Sequence, residues 1–215
     1  MNVIGFDDGP FPRDHKGDVL LVGVVCSGTR VDGVLSGRIR RDGTNATRAM
    51  VDVVRASQFG THVQAIMLQG IAVGGFNVVD VHGLSAALRV PVLVVTRRRP
   101  DMAAVKRALF SGAPEARPRV AGAARKWKLI EDAGTMEVLG ESRRSLRARD
   151  GSRAKPPSGI RTHVPRLWIQ RVGLSLDAAR KLVADTTLHG NIPEPLRLAH
   201  LIAGGITTGT SRGRA

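Results

Sequence analysis

The amino-acid sequence predicts an α/β fold in which helices cover both faces of a mixed β-sheet. Three observations lead to this fold class. Residues 1–40 contain three apolar or alternating runs, which predict three antiparallel strands before any helix. Two short, largely apolar runs at residues 63–68 and 92–95 are typical of strands that are buried on both faces. The segment between them carries an apolar stripe at helical spacing, so a helix is predicted to connect two parallel strands.

The first strand is predicted at residues 3–6, and it delivers two adjacent carboxylates, Asp7 and Asp8. Carboxylate oxygens are the ligands that a hard divalent cation such as Mg²⁺ prefers, and Mn²⁺ accepts the same donors. These two residues are therefore candidate metal ligands. The alternative is a structural role, because the Asp-Gly-Pro sequence that begins at Asp8 is also common in turns.

The next two strands, at residues 19–26 and 31–39, are predicted to form an antiparallel pair joined by a Ser-Gly-Thr turn. A helix is predicted over residues 47–57, with Thr44 or Asn45 as its N-cap.

Residues 63–99 form the unit around which a site is predicted. Its glycines let the chain bend or approach a ligand closely. Asn77 is predicted to cap the helix that follows and to contact substrate. In open α/β sheets, ligands bind at the edge where the parallel strands end, so Gln69 and a run of three arginines are predicted to face one site. The arginines, which are suited to hold phosphate groups, are Arg97, Arg98 and Arg99.

The second half of the chain is predicted to contain further helices and one strand. These lie at residues 101–109, 120–133 and 167–172, followed by helices that begin at Ser175 and Pro193. His189 and His200 are expected to be structural, with a ligand role as the alternative.

The net charge of +15 is distributed unevenly along the chain. Residues 1–96 carry a net charge of only +1, from nine basic and eight acidic residues. The basic remainder suits a polyanion, so nucleic acid is the expected partner, and a solvated basic surface is the alternative. Residues 140–165 combine low hydrophobicity with many charges, and a flexible basic insertion is predicted there.

The chain contains one cysteine, Cys26, which lies within a predicted strand. This count excludes an intrachain disulfide and a cysteine-based zinc site. The N-terminus has strand character and acidic residues, unlike a signal peptide, and the apolar runs are too short to span a bilayer. A cytoplasmic protein with no membrane partner is therefore expected, and the oligomeric state is left open.

Several long, contiguous motifs stand out: IGFDDGPF, LVGVV, VDGVLSGRI, IMLQGIAVGGFNVVD, VPVLVVTRRRPD, TTLHGNIPEPLRLAHLIAGGI and SRGRA. Together they resemble an uncharacterised, mainly archaeal family, domain of unknown function ninety-nine, which is itself similar to endonuclease V. The predicted order of elements also resembles a ribonuclease H-like fold. The resemblance implies one endonuclease V-like domain over residues 1–210, from which the basic insertion departs.

The resemblance to endonuclease V also implies roles for single residues. Asp7 matches a magnesium-binding aspartate at the end of the first strand, whereas Gln69 stands where endonuclease V has a second aspartate. Arg97 or Arg98 roughly matches its lysine. A further glutamate has no convincing match here, and the nearest polar candidate, Asn45, is neutral. The resemblance therefore implies a similar scaffold with a depleted metal site.

Two functions follow from these expectations. The first is a metal-dependent endonuclease that acts on nucleic acid, with Asp7, Asp8 and Gln69 as catalytic residues and Mg²⁺ or Mn²⁺ as cofactor. The alternative is a non-catalytic nucleic-acid-binding protein on the same scaffold. Asp80 is an additional candidate ligand, although its place near a helix N-terminus favours a structural role.

Overall fold

A computed structural model of the protein describes residues 1–111, 120–140, 166–188 and 190–212. The helices and strands within these ranges are, in chain order, β1 (Asn2–Asp8), β2 (Asp18–Ser27), β3 (Arg30–Arg40), α1 (Ala46–Ala56), β4 (Ala65–Gln69), β5 (Ala72–Val73), β6 (Asn77–Val78), α2 (Val81–Leu88), β7 (Val92–Thr96), α3 (Met102–Phe110), α4 (Ala123–Asp132), β8 (Glu137–Leu139), β9 (Leu167–Val172), α5 (Leu176–Thr186) and α6 (Glu194–Thr208). Apart from Gly140, the predicted basic insertion at residues 140–165 lies outside the described residues, and so does His189.

Seven of the strands form one mixed sheet in the order β3-β2-β1-β4-β7-β9-β8. Strands β1, β4 and β7 run parallel to one another, while the remaining neighbours pair antiparallel. This confirms the predicted mixed sheet that begins with three antiparallel strands. The sheet also contains β8, which was not predicted, because its three residues form no apolar run that would reveal a strand in the sequence.

Both faces of the sheet are buried beneath helices, as predicted. On one face, Ile4 and Leu68 pack with Met50 of α1 and Leu84 of α2. On the other face, side chains of the same strands pack against α5 and α6; these are Val3, Ala65, Met67 and Leu93. Successive side chains of a strand point to opposite faces, so a strand covered on both sides is apolar throughout.

The predicted N-cap role of Asn77 is wrong. Asn77 lies in β6, which pairs with β5 to form a separate two-stranded hairpin, and its side chain is fully buried. Its Nδ2 donates to Arg40 O (2.9 Å) and to Asn45 Oδ1 (2.8 Å), and its Oδ1 accepts from the Ala46 backbone N–H (3.0 Å). Asn77 therefore links the hairpin to the start of α1. It does not cap the next helix because the chain after the glycine-rich turn first forms strand β6, and α2 begins only after it. A contact of Asn77 with substrate stays a prediction.

The N-cap of α2 is Asp80, whose side chain accepts from the Gly83 backbone N–H at 2.8 Å. A carboxylate at this position satisfies an otherwise unpaired amide of the first helical turn. This confirms the structural role that was favoured for Asp80.

Helix α6 approaches the sheet closely. A Cβ atom placed on Gly5 of β1 would lie 2.4 Å from the backbone carbon of Pro195, so this crossing requires a residue without a side chain. The same helix covers Cys26 of β2, which is fully buried beside Ala199 and Ala203. Burial raises the pKa of the Cys26 thiol to about 11, with smaller contributions from the charges of nearby carboxylates.

The described part of the chain contains no helix with both the length and the apolar character needed to cross a bilayer.

Candidate active site at the sheet edge

The site begins with two residues that end neighbouring parallel strands. Phe6 of β1 pairs with Leu68 of β4, so one residue further on Asp7 lies beside Gln69. Strand alternation places both side chains on the face that Val3 and Met67 share, where α5 and α6 pack. The first strand therefore lies directly beside the strand that was predicted at residues 63–68.

Asp7 is nearly buried, with 7% of its surface exposed, and both of its carboxylate oxygens are engaged. Oδ1 accepts from the Asp8 backbone N–H at 3.0 Å, and Oδ2 lies 2.9 Å from Nδ1 of His200 in α6. An ionised carboxylate only accepts hydrogen bonds, so Nδ1 carries the hydrogen of this contact. His200 thereby fixes the orientation of the carboxylate, while 42% of its own side-chain surface remains exposed.

The sequence favours a structural role for His200, whereas the structure places it in contact with Asp7 at the site. Its contact with Asp7 spans 193 positions of the chain, so no local motif links the two residues. The available signal was the helical segment itself, in which small or apolar residues around His200 predict a helix packed on the sheet. That signal alone does not distinguish a structural histidine from a functional one.

The side chain of Asp8 lies on the other face of the sheet from that of Asp7. Strand alternation directs it to the opposite face, where its carboxylate accepts a hydrogen bond from the Gly74 backbone amide. Burial and, to a smaller extent, the charge of Asp7 raise the pKa of the Asp8 carboxyl to about 6. The structure brings Asp7 and Gln69 together on one face but does not place Asp8 there. A metal contact from Asp8 stays a prediction.

An open cavity of about 750 Å³ extends from Gln69 and His200 along the ends of β4 and β7. Its lining residues are Gln69, Gly70, Val95, Thr96, Arg97, Arg98, Ile192 and His200. Gln69 and two of the three predicted arginines thus share a cavity. Arg99 turns elsewhere: its guanidinium lies 5.4 Å from the centre of the Trp168 ring, and it lines a second cavity.

The donor set at this edge is small for a metal site. Within the described ranges, no three or more His, Cys, Asp or Glu side chains cluster in a way that could hold a metal ion. Asp7 supplies one carboxylate, and Gln69 supplies an uncharged amide. Asn45, the other candidate, bonds to the Arg40 backbone N–H and to Asn77. Mg²⁺ often binds proteins through one or two carboxylates and completes its shell with water and substrate phosphates, so the residues fit one weakly held ion.

Comparison with protein families gives one match that covers almost the whole chain: the family described as endonuclease dU, over residues 1–207. Similar proteins include a UPF0215 protein of Deinococcus radiodurans, which is 44% identical over 99% of this chain and 92% of its own length. A UPF0215 protein of Thermococcus gammatolerans is 41% identical over 98% of this chain and 94% of its own length.

Solved structures show the same architecture. A protein of unknown function from Archaeoglobus fulgidus is 31% identical and superposes with a TM-score of 0.76, covering 97% of this chain and 99% of that chain. Endonuclease V of Bacillus subtilis is 11% identical and superposes with a TM-score of 0.52, covering 92% of this chain and 77% of that one. The likeness to endonuclease V confirms the predicted ribonuclease H-like α/β fold.

Proposed function

This chain belongs to the endonuclease dU family, and we propose that it is a metal-dependent endonuclease that cleaves DNA at deoxyuridine. The family description supplies the substrate, and the sheet-edge site supports the reaction class. The observation that carries the proposal is the placement of Asp7 beside Gln69, next to a cavity lined by Arg97 and Arg98. An anionic ligand, an amide oxygen and two guanidinium groups together suit a phosphodiester.

Each side chain has a task in this proposal. Asp7 and Gln69 would hold one Mg²⁺ or Mn²⁺ ion, whose chemistry is to activate water and to stabilise the leaving oxygen. Arg97 and Arg98 bind the phosphate through charge-assisted hydrogen bonds, which orient the scissile bond. His200 is a positioning residue, because it lines the cavity and holds the Asp7 carboxylate in a fixed direction.

The proposal is tested with an end-labelled DNA duplex that contains a single deoxyuridine. We expect cleavage in Mn²⁺ or Mg²⁺ by the unmodified protein and a loss of roughly a hundredfold or more in Asp7→Asn, since the variant removes the negative charge of the proposed metal ligand. Asp14→Asn makes the same chemical change at an exposed position and should cleave like the unmodified protein. Equal cleavage by Asp7→Asn would contradict the proposed site.

The second candidate function is deoxyuridine binding without cleavage. The observation in its favour is the neutral Gln69, which leaves Asp7 as the one charged member of the proposed ligand pair. Retention of the duplex by the unmodified protein in Mn²⁺, without any product, would favour this function over the first.

A further inference from the structure

A second cavity, of about 500 Å³, opens directly beside the candidate active site. Its wall is mainly apolar and includes Ile71, Phe76, Met102, Val105, Ile130 and Met136. Gly70 and Thr96 line both cavities, so the two spaces adjoin at the ends of β4 and β7. A volume of this order is typical of pockets that hold small organic ligands.

Among the described residues, one buried polar atom in this wall, the amide oxygen of Gln170, has no hydrogen-bond donor. Gln170 of β9 is 5% exposed, and its Nε2 donates to Gly134 O at 2.6 Å. Its Oε1 is buried, and no residue in the described part of the chain donates a hydrogen bond to it. The bond to Gly134 fixes the orientation of the Gln170 amide. The carbonyl oxygen of Gly134 can only accept a hydrogen bond, so it must face the amide nitrogen of Gln170 and not its oxygen. A buried acceptor without a donor is costly, so Gln170 is suited to a ligand that brings one.

The cavity and the amide together define the chemistry of that ligand. It has flat, mainly apolar faces for the aliphatic and aromatic wall, and a ring N–H for Gln170 Oε1. Uracil has both features, since its N3 carries a hydrogen in the neutral base. Proteins that inspect single bases commonly turn the nucleotide out of the duplex into such a pocket.

We propose that this cavity binds the uracil of the target nucleotide outside the duplex, and that Gln170 Oε1 accepts a hydrogen bond from uracil N3–H. This inference rests on the proposed function for the identity of the substrate. It makes Gln170 a specificity-determining residue against cytosine, because cytosine has no hydrogen on N3 and would place one acceptor against another. Thymine carries the same N3 hydrogen, so this contact does not distinguish it from uracil. The phosphate of the same nucleotide then lies towards the adjoining cavity, where Gln69, Arg97 and Arg98 are found.

The experiment observes the cavity directly, by NMR of protein labelled with ¹³C at the methionine methyl groups. Met102 and Met136 line the cavity, whereas Met50 and Met67 are fully buried in the two core clusters and serve as internal references. We expect 2′-deoxyuridine to shift the two cavity signals selectively. N3-methyl-2′-deoxyuridine and 2′-deoxycytidine, which lack the N3 hydrogen, should bind about tenfold or more weakly.

Gln170→Leu removes the acceptor at nearly constant size, and we expect it to weaken deoxyuridine binding about tenfold. Gln64→Leu is the matched control, since Gln64 is exposed and precedes β4 at the opposite end of the sheet. The inference is overturned if deoxyuridine leaves Met102 and Met136 unmoved, or if the N3-methyl compound binds equally well. The second comparison uses the unmodified protein, so the test holds even where Gln170→Leu fails to fold.

The outcomes separate this inference from the proposed function. Cleavage of the deoxyuridine duplex with no response of the cavity signals would overturn the inference alone. Selective deoxyuridine binding in the cavity, with no cleavage in either metal, would overturn the endonuclease proposal alone.

Discussion

At the scale of single residues, the candidate site depends on how little negative charge faces the metal position. Asp7 is held by His200 and by the Asp8 backbone, and its neighbour across the parallel pair is the neutral Gln69. Coulomb attraction between two opposite unit charges about 4 Å apart amounts to about 4 kcal/mol at an effective dielectric constant of 20, and to about twice that for a divalent cation. The interaction energy that a second carboxylate at position 69 would add is therefore large enough to determine metal affinity.

Gln69→Asp should raise the affinity for Mg²⁺ or Mn²⁺ by roughly tenfold or more, measured by calorimetry, because a net gain of only about 1.4 kcal/mol is one decade. Asp7→Ala in the same background should abolish the gain. Gln64→Asp adds the same charge at the other end of the sheet and should leave the affinity for Mg²⁺ or Mn²⁺ unchanged. If the unmodified protein already binds metal as tightly as Gln69→Asp, the depleted-site interpretation is wrong.

The raised pKa of Asp8 predicts a pH-dependent cost in stability. The folded pKa of about 6 exceeds the ordinary value of 3.8, so the folded state binds the proton more tightly than the unfolded state. Stability that is fully present below about pH 4 is then lost as the pH rises through about 6. Asp8→Asn should leave stability at pH 3.5 unchanged and raise it at pH 7.5 by at most about 3 kcal/mol.

The measurement is urea denaturation in a metal chelator at the two pH values. Asp14→Asn, at an exposed position, should show no gain at pH 7.5. A gain in Asp8→Asn that is equal at both pH values would show that its cause is not ionisation.

The sequence predicts the positions of residues whose neighbours follow from the order and direction of the strands. Asp7 and Gln69 each follow an apolar strand, and parallel strands end at one edge, so their proximity was predictable. His200 and Gln170 were not, because each acquires its role from a partner distant in sequence. The opposite directions of Asp7 and Asp8 follow from strand alternation, once β1 is known to extend through Asp8 instead of turning after Phe6.

At the scale of elements, the site depends on how helix α6 crosses strand β1. The crossing at Gly5 brings the N-terminus of α6 against the strand, and the same helix carries His200 to Asp7. A change at the crossing is therefore transmitted to the site through the position of a whole helix.

Gly5→Ala should lower the free energy of unfolding by about 1–3 kcal/mol, because its Cβ meets backbone atoms of α6 that cannot rotate away. Gly205→Ala is the matched control on the same helix, since no atom lies within 4 Å of its added Cβ. Alanine favours a helix over glycine, so this variant should gain about 0.5–1 kcal/mol. Denaturation in urea compares the two, and equal effects would contradict the crossing described above.

Periodicity predicted the long elements, because a buried face imposes a repeat on the sequence. The short elements were not predicted, because they show no such repeat. Each strand of the hairpin β5–β6 has only two residues, and β8 has three, which is too few for any repeat. Their pairing is determined by turns and by tertiary hydrogen bonds such as those of Asn77.

At the scale of the whole molecule, basic residues from the part of the chain after residue 96 lie at the candidate active site. The basic residues Arg97 and Arg98 lie at the edge where the parallel strands end. The cavity edge is therefore the expected face for a nucleic-acid backbone.

Affinity for a DNA duplex should fall steeply with salt, because each neutralised phosphate releases condensed counterions. Combined Arg97→Gln and Arg98→Gln should reduce the slope of log affinity against log salt by about two. Combined Arg30→Gln and Arg38→Gln removes the same charge from the exposed strand β3 and should reduce it less. Fluorescence anisotropy at several salt concentrations gives the slopes, and equal slopes for both variants would refute the assignment of the face.

The buried thiol of Cys26 has a practical consequence for chemical labelling. Alkylating reagents attack the thiolate, and a pKa of about 11 together with full burial keeps that species scarce and inaccessible in the folded protein. Modification of Cys26 therefore requires β2 to part from α6, so its rate reports that opening event. A cysteine introduced on the surface would then be the single reactive position, and a fluorophore can be attached there without removing the native residue.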